Sequence, residues 1–285
     1  MSLLATPLRR TLAAVTAVLA GGASAVAVAS PAAAIVGRVV VGVSSPLSTD
    51  VFKQVNSICP AGTVALGGGA GIIGGDFSAH VTATAPMAVS QGHVARAEVH
   101  AGGAAPWQVR SYSVCGSGVT GRSFVYEDST IGAGLSTGSV SVACPVGKQV
   151  IGMGGYVSAD DFILSSVDVN STLTSVTMWW ARGLDVAGTL TGLAEASAVC
   201  VDPVPGLERV RVFSANDSLD KVLLPTCPSG KLVYDVGGGV SGSLGQRIAK
   251  IDVFVPLTTN AGVTVREIPP GSPSNWKAFG TVICA

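Results

Sequence analysis

Apolar residues along this chain come in short, β-branched runs that alternate with polar positions and are broken by Gly, Ser, Asn or Pro. Such alternation sends successive side chains to opposite faces of an extended strand. Three runs open with arginine: RVVVGVS at 38, RSFVYED at 122 and RVRVFSA at 209. Each is followed by a valine- or leucine-rich run: QVNSIC, SVSVAC or VLLPTC. Then come HVTATAP, FILSSVDVN and AKIDVFVPL, and after them VARAEVH, VTMWWAR and VTVREIP. Beyond the N-terminal segment no stretch of about ten residues has helical periodicity. The pattern predicts an all-β chain with roughly five or six strands in each of three units.

The cysteines define the units. Cys59 and Cys115 are 56 residues apart, Cys144 and Cys200 are 56, and Cys227 and Cys284 are 57. Each first cysteine opens the same phrase, CPAGTVALGGGAG, CPVGKQVIGMGGY or CPSGKLVYDVGGG, and each second closes a strand-like run. A repeat of this kind fixes a threefold array, with units at 38–121, 122–208 and 209–285 in one domain spanning 35–285. In Cys-Pro-x-Gly, proline ends the strand and the glycine two positions later supplies a positive φ for a tight turn. The glycine clusters at Gly67–Gly69, Gly154–Gly155 and Gly237–Gly239 predict close backbone packing near a pseudo-threefold axis. An open ligand-binding loop is the alternative for them.

Residues 1–34 read as a signal peptide: Arg9-Arg10, an apolar stretch, then Ala32-Ala33-Ala34 before a mature start at Ile35. Export with an even cysteine count predicts a secreted, disulfide-bonded protein rather than a metal protein. Threefold symmetry favours Cys59–Cys115, Cys144–Cys200 and Cys227–Cys284; a cyclic pairing between neighbouring units also respects it. Without the leader, 15 basic residues face 17 acidic ones, a formal −2 with no basic stripe. Nucleic acid is therefore not an expected partner, and no membrane span is expected. No cofactor and no metal ligand set is expected either.

Residues able to carry chemistry are few. Gly134-Leu135-Ser136-Thr137-Gly138 matches a nucleophile elbow, but a strand-like run follows it and every histidine lies upstream. Ile35-Val36-Gly37 resembles an activated protease end without the segments such an enzyme needs. Asp76 and the pair Asp160-Asp161 follow glycine turns and are expected to be solvated. His80, His93 and His100 all fall in the first unit, with surface positions expected. No catalytic residue is assigned, and the chain is not expected to be an enzyme. Trp107 and Trp276 each stand eight residues before a closing cysteine, where the second unit has Gly192. That unit instead carries Trp179-Trp180, one of which must face outward. These four tryptophans are the candidate binding residues, suited to stacking on sugar rings.

The Cys-Pro-x-Gly openings, the GGG clusters and the closing EASAVC resemble a disulfide repeat of secreted bacterial, especially actinobacterial, proteins. They are also similar to vitelline membrane outer layer protein. That resemblance implies a β-prism of three sheets about a pseudo-threefold axis; a β-trefoil is the alternative. The expected function is non-catalytic binding of a carbohydrate, cell-surface glycan or cell-wall polymer. A structural or adaptor role with an extracellular protein partner is the second reading, and a secreted hydrolase the third. Should the tryptophans belong to the core, the glycan reading loses its best evidence and the adaptor reading replaces it.

Overall fold

A computed structural model describes residues 35–75, 79–89, 91–99, 105–158, 162–182, 191–241, 249–268 and 274–285. The segment read as a signal peptide lies outside them, as do Asp76, Asp160, Asp161 and His100. The first unit forms β1 (Val36–Ser44), β2 (Phe52–Ile58), β3 (Val64–Gly74), β4 (Ala79–Pro86), β5 (Gly92–Val99) and β6 (Trp107–Ser117). The second forms β7 (Ser123–Ile131), β8 (Thr137–Ala143), β9 (Gln149–Ser158), β10 (Phe162–Val169), β11 (Ser175–Arg182) and β12 (Gly192–Val201). The third forms β13 (Glu208–Phe213), β14 (Lys221–Leu223), β15 (Val233–Ser241), β16 (Ala249–Pro256), β17 (Ala261–Glu267) and β18 (Lys277–Cys284). No helix occurs among the described residues.

The strands make three antiparallel sheets of six. Sheet I runs β1-β6-β3-β16-β17-β14, sheet II β2-β5-β4-β9-β12-β7 and sheet III β13-β18-β15-β10-β11-β8. Every unit gives its first, third and sixth strands to one sheet and its second, fourth and fifth to another. Each sheet is thus half one unit and half the next, a prism-like arrangement of open sheets rather than the barrel of a β-trefoil. Inter-unit seams are thin: β3 and β16 share one register pair, Gly71 with Val253. The β4–β9 and β10–β15 seams share two pairs each. Packing between sheets must therefore hold the units together.

The disulfides reinforce that packing. The bridges are Cys59–Cys115, Cys144–Cys200 and Cys227–Cys284, the repeat-internal set. Because a unit is split between sheets, each bridge crosses from one sheet to another. Cys59 follows β2 of sheet II and binds β6 of sheet I; Cys144 follows β8 of sheet III and binds β12 of sheet II; Cys227 lies beyond β14 of sheet I and binds β18 of sheet III. All three sheet pairs are tied. Each opening cysteine leads into the expected turn: Gly62, Gly147 and Gly230 take φ of +82°, +84° and +85°. The residue after each donates its N–H to the proline carbonyl, at 3.1, 3.0 and 3.1 Å.

The three inner strands β3, β9 and β15 converge on the pseudo-threefold axis. Leu66, Ile151 and Tyr234 occupy equivalent places there and join one buried apolar cluster. The next residue in each strand must let backbones touch. A Cβ on Gly67 would stand 2.5 Å from the Tyr234 carbonyl oxygen, and one on Gly152 would stand 2.1 Å from that of Leu66. Neither distance is tolerable, so glycine is obligatory at both. The third equivalent is Asp235, fully enclosed. Its carboxylate accepts the Gly68 N–H at 2.7 Å and the Met153 N–H at 2.5 Å, and the Val236 N–H of its own strand. Gly68, Met153 and Val236 are themselves equivalent, so one side chain gathers the same amide from all three units. Burial pushes the Asp235 carboxyl well above its usual range, against the pull of these amides.

The histidines depart from the surface positions expected of them. His80 on β4 and His93 on β5 are buried, at 2% and 0% exposure; His93 points inward from β5, whereas His80 lies opposite Glu98 on the outer face of sheet II. The His93 ring packs where Gly68 leaves room, 2.5 Å from a Cβ built there. Neither His93 ring nitrogen has a hydrogen-bond partner among the described residues. Burial lowers its pKa from 6.5 to about 3.

Two measurements test these interior groups. Asp235→Ala strands two amides of other units at a fully enclosed position and is expected to cost about 3 kcal/mol or more in urea unfolding. A loss under about 1 kcal/mol would remove Asp235 from its central role. His93 stays neutral in the folded state where the unfolded chain protonates it. Its contribution is therefore complete above about pH 6.5 and is lost as pH falls toward about 3. Asp168 and Asp252, whose pKa values burial raises, act with the opposite sign, so the comparison must be with a variant. Relative to His93→Leu, the parent is expected to lose roughly 4 kcal/mol across that window; parallel pH profiles for the two would contradict this.

Candidate functional site

Three of the four tryptophans are core residues. Trp107 and Trp276 are each 2% exposed. Trp107 donates its indole N–H to the Asp50 carbonyl at 2.9 Å, and Trp276 to the Glu267 carboxylate at 2.8 Å. A buried lysine covers each ring: the Lys53 and Lys221 ammonium groups lie 5.1 and 4.8 Å from the ring centroids. Lys53 is held by the Pro46 carbonyl and the Ser48 hydroxyl, and Lys221 by the Asp217 carbonyl and carboxylate. These rings have no free face for a sugar.

The second unit solves the same packing problem differently. Lys53 pairs across strands with Ala97, Lys221 with Val265, and Gly138 with Trp180. Gly138 and Gly192 therefore stand where the other units have lysine and tryptophan, and Trp180 supplies the indole from the neighbouring strand. A Cβ on Gly138 would lie 2.5 Å from that ring. Phe162 meets Trp180 edge to face at 5.4 Å. Trp179 points the other way and is partly exposed on the outer face of sheet III, between Ser139 and Ser166. The segment Gly134–Gly138 is the connection from β7 into β8, with a strand after it where an elbow needs a helix.

With the tryptophans accounted for, the structure offers another site: a groove of about 550 Å³ on the outer face of sheet II. One register row crosses all six strands there, Gln54–Arg96–Ala83–Tyr156–Glu195–Asp128. Beside it run Asn56, Val94 and Ala85 on one side of the seam and Ser197 and Tyr126 on the other. Ala83 and Ala85 form a low floor, while Phe124, Tyr126 and Tyr156 rise as an aromatic wall. The Phe124 and Tyr126 rings are 6.1 Å apart and tilted by 33°, with Tyr126 59% exposed. Gln54, Asn56, Arg96 and Glu195 supply the polar lining, and Met87 and Val89 close one end.

Charge is unevenly placed along this groove. Arg96 binds the Glu98 carboxylate at 2.6 Å and the Tyr156 hydroxyl at 3.0 Å, and its guanidinium lies 4.4 Å from the Phe52 ring centroid. That end is balanced. At the other, burial and the neighbouring Asp128 raise the Glu195 pKa above the usual range.

The equivalent places on the other sheets are filled. On sheet III, Asp168 takes the position of Ala85, and Arg209 and Arg211 those of Phe124 and Tyr126. The two arginines bind Asp168 at 2.9 and 3.1 Å, and Thr281 donates to it at 2.8 Å. Arg211 also lies 3.9 Å from the Phe279 ring centroid. On sheet I, Tyr112 takes the position of Ser197 and Arg110 stacks on it at 5.2 Å, spreading over Gly42. The threefold scaffold therefore carries three different outer faces rather than three similar sites. Sequence reading passed over Phe124 and Tyr126, although RSFVYED differs from RVVVGVS and RVRVFSA at those alternating positions.

No protein-family model matches the chain, and a search of curated proteins finds no significant match. Among the described residues no group of three or more His, Cys, Asp or Glu side chains could hold a metal ion. No helix there is long and apolar enough to cross a membrane.

The burial of the indoles sets an expectation opposite to that of a surface stack. Trp107→Ala and Trp276→Ala should each cost about 3–5 kcal/mol in chemical denaturation, by cavity formation and loss of the lysine contact. A cost below about 1 kcal/mol at both positions would return them to the surface role.

Proposed function

We propose that this is a secreted, non-catalytic binding protein whose groove on sheet II takes a carbohydrate. The support is one observation: three aromatic rings and a small-residue floor line an open groove together with amide, carboxyl and guanidinium groups. Sugars present flat C–H faces that stack on aromatic rings, and hydroxyls that pair with planar side chains such as these. A concave, mostly apolar site with a few convergent polar groups is the usual form of a small-ligand site. Three disulfides agree with an oxidising, extracellular setting. One groove would bind one ligand segment, without multivalent enhancement within the molecule.

The adaptor reading has its own support. Leu219, Val222 and Leu224 are exposed around the short edge strand β14, at 68%, 70% and 60%. Apolar surface of this kind suits a protein partner.

Glycan arrays and cell-wall polysaccharide pull-downs distinguish the two. A glycan ligand is expected, and Tyr126→Ala should weaken it about fivefold with an unchanged melting temperature. Absence of any glycan ligand, or binding indifferent to both Tyr126→Ala and Phe124→Ala, would favour the adaptor.

A further inference from the structure

We propose that the groove's ligand is an amino sugar bearing a free, protonated amine, seated by Glu195 and Asp128 against the aromatic wall. This rests on the glycan reading above and specifies its chemistry.

Asp128 and Glu195 are direct cross-strand partners at the β7–β12 ladder. Like charges placed opposite each other are destabilising, so a fold gains nothing from this pair by itself. None of the ion pairs among the described residues involves either carboxylate. Arg96, the groove's guanidinium, is engaged by Glu98, whose side chain is 7% exposed. The acidic end thus has no cationic partner among the described residues. Asp128 shares its strand face with Tyr126 and Phe124, and Glu195 lies directly opposite Tyr156. An ammonium entering here would meet two carboxylates beside the Tyr126 and Phe124 rings, a combination that favours cations, whereas the Tyr156 ring already has the Arg96 guanidinium 5.4 Å from its centroid.

The pair is also particular to the open face. At the same register sheet I has Arg110 opposite Ser44, and sheet III has Phe279 opposite Phe213. The fold's repeat therefore does not call for acids at this position. A neutral N-acetylated sugar would stack equally well on the wall but would leave both carboxylates uncompensated. The groove should discriminate by the acetyl group.

The test compares glucosamine tetrasaccharide with its fully N-acetylated counterpart at pH 6, by calorimetry on the intact protein. The free-amine form is expected to bind about tenfold tighter or better, with affinity falling as salt rises. Glu195→Gln and Asp128→Asn should each collapse the ratio toward one by weakening the free-amine form several-fold more than the N-acetylated form. Their melting temperatures confirm folding, and two variants guard against one failing to fold. Equal binding of both sugars, or a preference that survives both variants, overturns the amine assignment. In that case Tyr126→Ala still decides whether the glycan groove stands. Binding of neither sugar overturns the amine assignment, and the broader glycan array then decides the glycan reading by itself.

Discussion

Backbone meets backbone at the centre of this molecule, and the rest of the architecture follows from how that contact is made. Three inner strands can approach the axis only where no side chain intervenes, which Gly67 and Gly152 provide. Their close approach aims equivalent amides of all three units at one enclosed point. Unmet amides there would be costly. Asp235 meets them, so the unit that breaks the glycine pattern is the one that completes the centre. Because the seams between units share so few ladder bonds, this clasp and the packing between sheets hold the units together, while each disulfide ties the two halves of a single unit. Six-stranded sheets can then be shared between units without any unit being self-sufficient.

A fixed centre leaves the periphery free to diverge. The lysine-over-indole pairs of the first and third units and the displaced Trp180 of the second fill the same volume by different routes. This is compensation at constant packing, as dense interiors require. On the outer faces the divergence has chemical content. Arginines close one face over Asp168 and another over Tyr112, while small residues on the third leave a groove between aromatic rings. Symmetry of fold has become asymmetry of surface.

The threefold repeat, the all-β class, the bridge pairing and the Cys-Pro-x-Gly turns were legible in the sequence because each has a local signature repeated three times. The glycine clusters pointed correctly to the axis. Asp235 was not legible: a carboxylate among glycines reads as a turn residue until the strands of other units supply its amides. Trp107 and Trp276 misled because scarcity of aromatics invites a surface role, whereas the lysines that bury them lie about 55 residues away in sequence. His93 was likewise hidden, since its place depends on the absence of a side chain at Gly68. The groove escaped because its row draws one residue from each of six strands in two units. Only Phe124 and Tyr126 left a trace, as a local difference between otherwise parallel runs.

Sheet I joins the first unit to the last. The inner edge of β3 therefore has no partner until β16 has been made, and the axis stays open until Asp235 arrives. An unpaired strand edge is ordinarily a template for aggregation. Here that edge is the most glycine-rich strand of the chain, VALGGGAGIIG, which pairs poorly with strangers. The residues that permit close approach in the finished molecule are also poor strand formers, which weakens that edge as a template for wrong pairing before the fold is complete.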